Sequence, residues 1–462
     1  MCGVFGIRAP ERDVSRVTFF GLFALQHRGQ ESAGIAVSDR GRLTVLRDMG
    51  LVAQVFDEQN LSGLQGEVAI GHTRYSTTGS TQWTNAQPIV QHGRARTVTL
   101  GHNGNLTNAQ ELRDELSADG IALSTTSDTE VIAALIANDE APLGEAVANA
   151  MRQLEGAYTI VALAEGKLLG FRDPYGFRPL NLGSLDGDPV LASETCALDL
   201  VGATHEREVA PGELVSIDDD GVTATQAVPQ AGAGALCLFE FIYLARPDSN
   251  LAGIEVHAAR VKMGERLAEE APAEADLVMP APDSGTPAAI GFSRASGIPF
   301  SEGLIKNRYV GRTFIEPDHG LREQGIRLKF NPLSEVAGKR VVLVDDSIVR
   351  GNTMRKIVAL LFDAGAQEVH VRISSPPIVS PCFYGIDFAD EEQLVASSRT
   401  VEEVQEQIGA TSLAYISLVG VQAATMRPEN EFCRACFTRT YPTRVPAGKT
   451  LAKFRFERSA VR

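Results

Sequence analysis

Residues Val341–Thr353 read VVLVDDSIVRGNT. The four apolar residues Val341–Val344 have the composition of a strand buried on both faces of a parallel sheet. They run into two adjacent carboxylates, Asp345 and Asp346, and then into a turn of small residues through Ser347, Gly351 and Thr353. From Met354 to Phe362 the apolar residues fall at helical spacing, and the pattern stops at Gly365. Val369–Ile373 reads as the next strand, so the segment predicts a βαβ unit. In such a unit the loop at the strand's carboxyl end lies at a ligand crevice, where helix-terminal N–H groups face anions. Ser347, Gly351 and Thr353 would bring bare backbone and hydroxyls to a phosphate. The paired aspartates are suited to accept hydrogen bonds from sugar hydroxyls or to hold a hard cation.

This thirteen-residue string resembles the phosphoribosyl pyrophosphate loop of the type I phosphoribosyltransferases. The resemblance implies that Asp345, Asp346, Ser347, Arg350, Gly351, Asn352 and Thr353 bind that substrate. Upstream, Leu277–Pro287 (LVMPAPDSGTP) is a strand ending in a polar turn. In the family the turn at Asp283-Ser284-Gly285 lies beside the pyrophosphate, and Ser284 joins Asp345 and Asp346 around Mg2+. Leu304–Ile315 (LIKNRYVGRTFI) mixes basic and aromatic residues. On composition alone it reads as a solvated edge. Its resemblance to the flexible catalytic loop of these enzymes implies that Lys306, Arg308 and Arg312 meet the pyrophosphate, and that the loop closes over bound substrate.

With 462 residues the chain is too long for one ordinary domain. No apolar run reaches the 18 residues of a membrane span, and the apolar patch 17–25 has neither the basic leader nor the cleavage site of a signal peptide. A formal charge of −15 argues against non-specific nucleic-acid binding. Anionic substrates must therefore be met by local cations. Six cysteines without a secretory leader suit a reducing compartment, so the expected location is cytoplasmic.

The chain begins Met1-Cys2-Gly3. Removal of the initiator would give Cys2 a free α-amine, ordinarily of pKa ~7.7–8.0, able to act as general base for its own thiol. A second-position cysteine means little by itself. Here it is joined by Leu25–Ile35 (LQHRGQESAGI), by Gly71–Gly79 (GHTRYSTTG) and Gly101–Leu106 (GHNGNL), each after an apolar strand, and by a helix start at Ser127–Glu130. Together these resemble the class II glutamine amidotransferase domain, an N-terminal-nucleophile hydrolase, over residues 2–230. The family implies that Cys2 attacks the glutamine amide, that Arg74 grips the substrate α-carboxylate and that Asp128 receives the α-ammonium. It also implies an oxyanion hole made by Asn103 and the Gly104 N–H. His72 and His102 are expected to be structural, since the amine mechanism needs no imidazole. Cys196 is expected to be a buried small hydrophobe.

A Gly/Ala run at 229–235 marks the expected seam, with the second domain at 235–462. Beyond it, Cys433 and Cys436 form a C-x-x-C, accompanied by the distant Cys237 and Cys382. Four thiols suit either zinc or an iron–sulfur cluster, and sequence chemistry does not separate the two. Their positions resemble the [4Fe–4S] ligands of the cluster-bearing members of the family. Such members often carry a propeptide before the nucleophile; here maturation is expected to need only methionine removal. The segment after Cys436 holds seven Lys or Arg against one acidic residue and reads as a solvated or subunit-contacting tail.

The expected fold is an α+β N-terminal-nucleophile hydrolase domain, a four-layer αββα sandwich. An α/β type I phosphoribosyltransferase domain with a mainly parallel sheet follows it. Over essentially its whole length the chain is similar to the glutamine-dependent amidotransferases acting on phosphoribosyl pyrophosphate. The implied reaction joins glutamine, phosphoribosyl pyrophosphate and water into phosphoribosylamine, pyrophosphate and glutamate, with ammonia passed internally, as the first committed step of purine synthesis. The resemblance further implies purine nucleotide inhibitors and a homotetramer. A glutaminase-linked transferase for another phosphosugar and a catalytically silent nucleotide sensor are the alternatives; retention of Cys2, Arg74, Asn103, Gly104 and Asp128 argues against the sensor.

Overall fold

The computed structural model describes residues 1–76, 80–307, 329–388 and 391–445. In its first half, strand side chains alternate between two environments, and that alternation builds the layers. A seven-stranded antiparallel sheet runs in the order Thr204–Glu208, Asn181–Leu185, Asp188–Ala192, Gly3–Arg8, Val68–Arg74, Ser32–Asp39, Arg42–Met49. A six-stranded antiparallel sheet runs Gly221–Gln226, Glu213–Asp218, Lys167–Arg172, Gly156–Ala164, Thr97–Leu106, Ile89–His92.

Val4, Val68 and Ile70 of the first sheet meet Val161, Leu163, Val215 and Ile217 of the second in one buried cluster between them. On its outer face the first sheet packs Phe5, Ile7 and Ala69 under the helix Val14–Ala24. The second packs Tyr158, Ile160 and Ala162 under the helices Ala109–Ala118, Asp128–Asn138 and Leu143–Gln153. The result is the four-layer αββα sandwich of an N-terminal-nucleophile hydrolase.

The second half holds a four-stranded parallel sheet, ordered Leu277–Pro280, Arg340–Asp345, Glu368–Ile373, Ser412–Tyr415. Val342 and Val344 pack toward the helices Val256–Glu270 and Thr286–Ser296. Val341 and Leu343 pack toward the helices Asn352–Asp363 and Val401–Ile408. Covering both faces is what lets a strand be apolar at every position. This is the α/β phosphoribosyltransferase arrangement.

Two local readings change. His72, Thr73 and Arg74 lie inside the strand Val68–Arg74, and Gly101–Leu106 completes the strand Thr97–Leu106, rather than following the strands as turns. Some of the polar groups there find buried partners: His72 Nε2 lies 3.1 Å from the His102 carbonyl, and Gln87 Oε1 accepts the His102 N–H at 2.8 Å. The helix after the phosphate-loop sequence begins at Asn352, two residues before the apolar periodicity. The helix therefore takes in Asn352 and Thr353 as its first turn.

The halves are tied by wholly buried charges. Arg178 Nη1 donates to Glu240 Oε1 at 3.0 Å, Arg28 Nη2 donates to Glu240 Oε2 at 2.7 Å, and Arg28 also pairs with Glu194.

Candidate active sites

At the first site, the strand Gly3–Arg8 lies between the strands Asp188–Ala192 and Val68–Arg74, so Cys2 emerges at the edge of the inter-sheet core. Cys2 N donates to Asn103 Oδ1 at 3.2 Å, and its Sγ donates to the Tyr75 carbonyl at 3.7 Å. Because Cys2 N is a donor, Asn103 must present its oxygen to it, which turns Nδ2 the other way. Asn103 Nδ2 is buried and has no hydrogen-bond partner among the described residues. A buried amide left with free N–H groups is costly unless something accepts from it. A developing oxyanion is such an acceptor.

Arg74 is buried, donating from Nη1 to the Ser80 carbonyl at 3.2 Å, with Glu31 Oε2 at 3.8 Å. Burial lowers its pKa, while Cys2, Glu31 and Asp128 oppose that shift. Asp128 opens a helix whose N-cap Ser127 accepts from Thr129 N. Against the penalty of burial, His102, the Leu106 N–H and Arg74 hold the Asp128 carboxyl below the usual range. Burial raises the Cys2 thiol, and the adjacent terminal amine and Arg74 work against it. In this chain Met1 is still attached, so the free amine is that of Met1. Burial draws it down to about 6. Cys2 touches Asn103, and Arg74 acts electrostatically on both Cys2 and Asp128; Gly104 follows Asn103 in the same strand.

His72 is buried and its pKa is lowered to about 3 by burial, so it is neutral. The His102 ring contacts Thr129 Oγ1 and the Ala157 carbonyl, and Asp128 lies 3.7 Å away. Cys196 is buried, with its thiol 3.8 Å from Glu194 and raised by burial. Sequence reading passed over Glu31, which accepts from Ser76 N and Oγ and faces Arg74, and Tyr75, whose carbonyl accepts the Cys2 thiol. Both lie inside motifs that had been singled out.

At the second site the strand Arg340–Asp345 delivers Asp345 and Asp346 to the carboxyl edge of the parallel sheet. Burial, and then the neighbouring Asp346, raise Asp345 well above the carboxylate range. Burial likewise raises Asp346, opposed by hydrogen bonds with Ser284 and Ser347 and by the charge of Arg260. Ser284 and the two aspartates are thereby brought together. Gly351 caps the following helix with φ +77, and Arg350, Asn352 and Thr353 are exposed around that N-terminus. Gly285 passes so close to the strand that an added Cβ would sit 2.3 Å from the Val344 carbonyl oxygen. Lys306 Nζ donates to Asp283 Oδ2 at 2.7 Å. Arg308 and Arg312 lie outside the described residues.

The four cysteines form a third group. Cys237 and Cys433 pair in register on two short parallel strands, and Tyr384 N donates to Cys382 Sγ at 3.4 Å. Burial raises Cys436 well above the thiol range, followed by the charges of Cys237, Cys382 and Cys433. Burial also pushes Cys237 up to about 11, with Arg178 opposing. No group of three or more His, Cys, Asp or Glu that could hold one metal ion occurs among the described residues. A separate cavity of about 720 Å³, lined by residues including Asp199, His205, Glu208, Asp248 and Arg427, contains none of the residues of these three groups. Among the described residues no helix is long and apolar enough to cross a membrane.

An αββα sandwich with Cys2 at its first strand, followed by a parallel sheet ending in an Asp-Asp loop, is the architecture of a glutamine amidotransferase joined to a phosphoribosyltransferase. The family model described as a glutamine amidotransferase domain matches residues 72–199, and the phosphoribosyl transferase domain model matches 254–374. The chain is 52% identical to the amidophosphoribosyltransferase of Mycobacterium tuberculosis (strain ATCC 25618 / H37Rv), over 98% of this chain and 88% of that protein. It is 53% identical to that of Synechococcus elongatus, over 96% of this chain and 92% of that protein. Among solved structures, the Bacillus subtilis glutamine phosphoribosyl pyrophosphate amidotransferase complexed with ADP and GMP superposes with a TM-score of 0.90 at 47% identity, covering 96% of this chain and 98% of that one. The chain belongs to the amidophosphoribosyltransferase family. It is a glutamine amidotransferase and a pentosyltransferase, a glutamine-dependent phosphoribosyl transferase of purine biosynthesis.

Proposed function

We propose that removal of Met1 frees the Cys2 amine, which takes the thiol proton as Sγ adds to the glutamine carboxamide. Arg74 binds the α-carboxylate through its planar fork and Asp128 the α-ammonium. Asn103 Nδ2 and the Gly104 N–H receive the oxyanion. Collapse of the tetrahedral intermediate returns the proton to the leaving nitrogen, expels ammonia and leaves a thioester at Cys2. Water then cleaves the thioester to glutamate. The observation that carries this reading is the partnerless Nδ2 of Asn103 beside Cys2.

Ammonia passes within the protein to phosphoribosyl pyrophosphate and displaces pyrophosphate at ribose C1. Asp345, Asp346, Ser347, Arg350, Gly351, Asn352 and Thr353 hold the ribose and its phosphate. Lys306, with Arg308 and Arg312, meets the pyrophosphate. Positioning and leaving-group stabilisation carry the step, without a protein nucleophile. Two adjacent carboxylates, one buried and one half-buried, and Ser284 suit Mg2+, which takes one or two carboxylates and completes its shell with phosphates and water. When bound, the ion neutralises charge on the pyrophosphate.

For Cys237, Cys382, Cys433 and Cys436 we favour a [4Fe–4S] cluster. The charges of Cys237, Cys382 and Cys433 all bear on Cys436, so the four thiols lie near one another, and their positions resemble the cluster ligands of the family. The division of the chain at 230–235, purine nucleotide inhibition, a homotetramer and a cytoplasmic location complete the reading. The B. subtilis relative's complex with ADP and GMP supports the nucleotide part.

In the deciding experiment, Cys2→Ala loses glutamine-dependent synthesis and keeps synthesis from added ammonia. Loss of both would overturn the division of labour. Iron and acid-labile sulfide after anaerobic purification would report the cluster; an active, iron-free protein would remove it from the proposal.

A further inference from the structure

We propose that Gly385, on the cysteine-bearing segment Cys382–Phe388 of the second half, is a positioning residue for the oxyanion hole of the glutaminase. This rests on the reading of Asn103 and Gly104 given above. Gly104 has φ +154, a conformation that L side chains rarely adopt. On one side its backbone meets the neighbouring strand: a Cβ added at Gly104 would lie 2.1 Å from the Ala157 carbonyl oxygen and 2.9 Å from His102 Nε2. On the other side it meets Gly385, where an added Cβ would lie 3.0 Å from both the carbonyl carbon and oxygen of Gly104 and 3.3 Å from its Cα. Gly385 itself has φ +101. The donor residue is held between two backbones, one from each half of the chain.

The segment that brings Gly385 there is itself fastened around the nucleophile pocket. Asn105 Nδ2 donates to the Phe383 carbonyl at 3.1 Å, and Arg178 Nη2 donates to the Tyr384 carbonyl at 2.8 Å. The Tyr384 ring stacks on Phe177 with centroids 4.2 Å apart. The Tyr75 hydroxyl donates to Asp387 Oδ2 at 3.4 Å, and the carbonyl of the same Tyr75 accepts the Cys2 thiol. An oxyanion hole works through donors already in place, so a few tenths of an ångström at Gly104 reaches the rate rather than substrate affinity. The second half therefore completes the catalytic geometry of the first.

Gly385→Ala tests this in the full-length protein. The methyl group must push the Gly104 peptide. Loss of an oxyanion donor costs about 10²–10³ in kcat, and partial misplacement should cost at least about tenfold in kcat for glutamine hydrolysis. KM for glutamine, ammonia-dependent synthesis and alkylation of Cys2 by iodoacetamide, a displacement that builds no oxyanion, should stay within about twofold. Because Gly385→Ala also strains its own backbone, Asp387→Ala is the second variant, with the same split expected at about two- to tenfold. If Gly385→Ala lowers every activity together, Asp387→Ala decides: the split supports the proposal and its absence overturns it. Unchanged hydrolysis in both variants also overturns it. Asn103→Ala separates the two levels. If it hydrolyses glutamine normally, the oxyanion-hole reading fails; if it is impaired while both segment variants are normal, only the positioning role of Gly385 falls.

Discussion

Arg178 and Glu240 pair at 3.0 Å with neither side chain exposed, and they come from opposite sides of the Gly/Ala run at 229–235. Glu240 also accepts from Arg28 at 2.7 Å. One carboxylate thus answers two buried guanidiniums, of which Arg28 keeps a second partner in Glu194. Taking one member from a buried ionic set costs about 3–5 kcal/mol, because it strands an uncompensated charge. Glu240→Ala is expected to lower the unfolding free energy by about that much, read as a lower denaturation midpoint, with Glu240→Gln milder. A midpoint equal to wild type would show that the set contributes nothing to joining the halves.

Glutamine hydrolysis should have an acid limb below the ~7.7–8.0 of an unperturbed α-amine. Burial lowers the Met1 amine, and the Cys2 amine exposed once Met1 is gone would sit beside the same buried groups. Below its own pKa the amine is protonated and cannot accept the thiol proton; above it the base is available. The check is kcat/KM for glutamine against pH. A limb near 8, the range of an unperturbed α-amine, would mean that the mature amine is solvated.

Asp345 and Asp346 sit adjacent, Asp346 buried and Asp345 half-buried. Mg2+ alone should therefore raise the thermal midpoint, since binding to the folded state stabilises it by mass action. Asp345→Asn should abolish most of that rise and, as part of the phosphoribosyl site, should eliminate synthesis from glutamine and from ammonia alike. An undiminished Mg2+ response in the variant would place the ion elsewhere.

Gly285 and Gly351 should respond to alanine in different degree. At Gly351 nothing lies closer than 3.5 Å to an added Cβ, so the cost is that of φ +77 alone, about 1–2 kcal/mol. At Gly285 the φ of −73 is ordinary, but the Cβ would strike the Val344 carbonyl oxygen at 2.3 Å and push the turn carrying Ser284 off the sheet. Gly285→Ala is expected to raise KM for phosphoribosyl pyrophosphate more than Gly351→Ala. The reverse order in steady-state kinetics would contradict this account of the turn.

The amino-acid sequence by itself determined the parts whose chemistry is local. An apolar run ending in Asp-Asp and small residues makes a buried strand, a turn and a helix start, because strand burial, backbone access and N–H exposure are settled within about a dozen positions. Cys2, Arg74, Asn103 and Asp128 stand in short motifs that resemble the class II glutamine amidotransferases, and their proposed roles come from that resemblance. Local reading missed that two of those motifs are strand interior. Some of their polar groups find partners such as Gln87 and the His102 carbonyl, which belong to other strands and loops. Tertiary structure alone decided what surrounds the nucleophile. Asn105 and Phe383 are hydrogen-bonded across 278 residues, and Gly385 rests on Gly104 because the two halves dock through buried charge and a shared apolar cluster around Phe177 and Tyr384. Such contacts leave no periodicity or composition in either segment. A glycine needed for close approach is written like any other glycine, and only the backbone opposite it reveals the need.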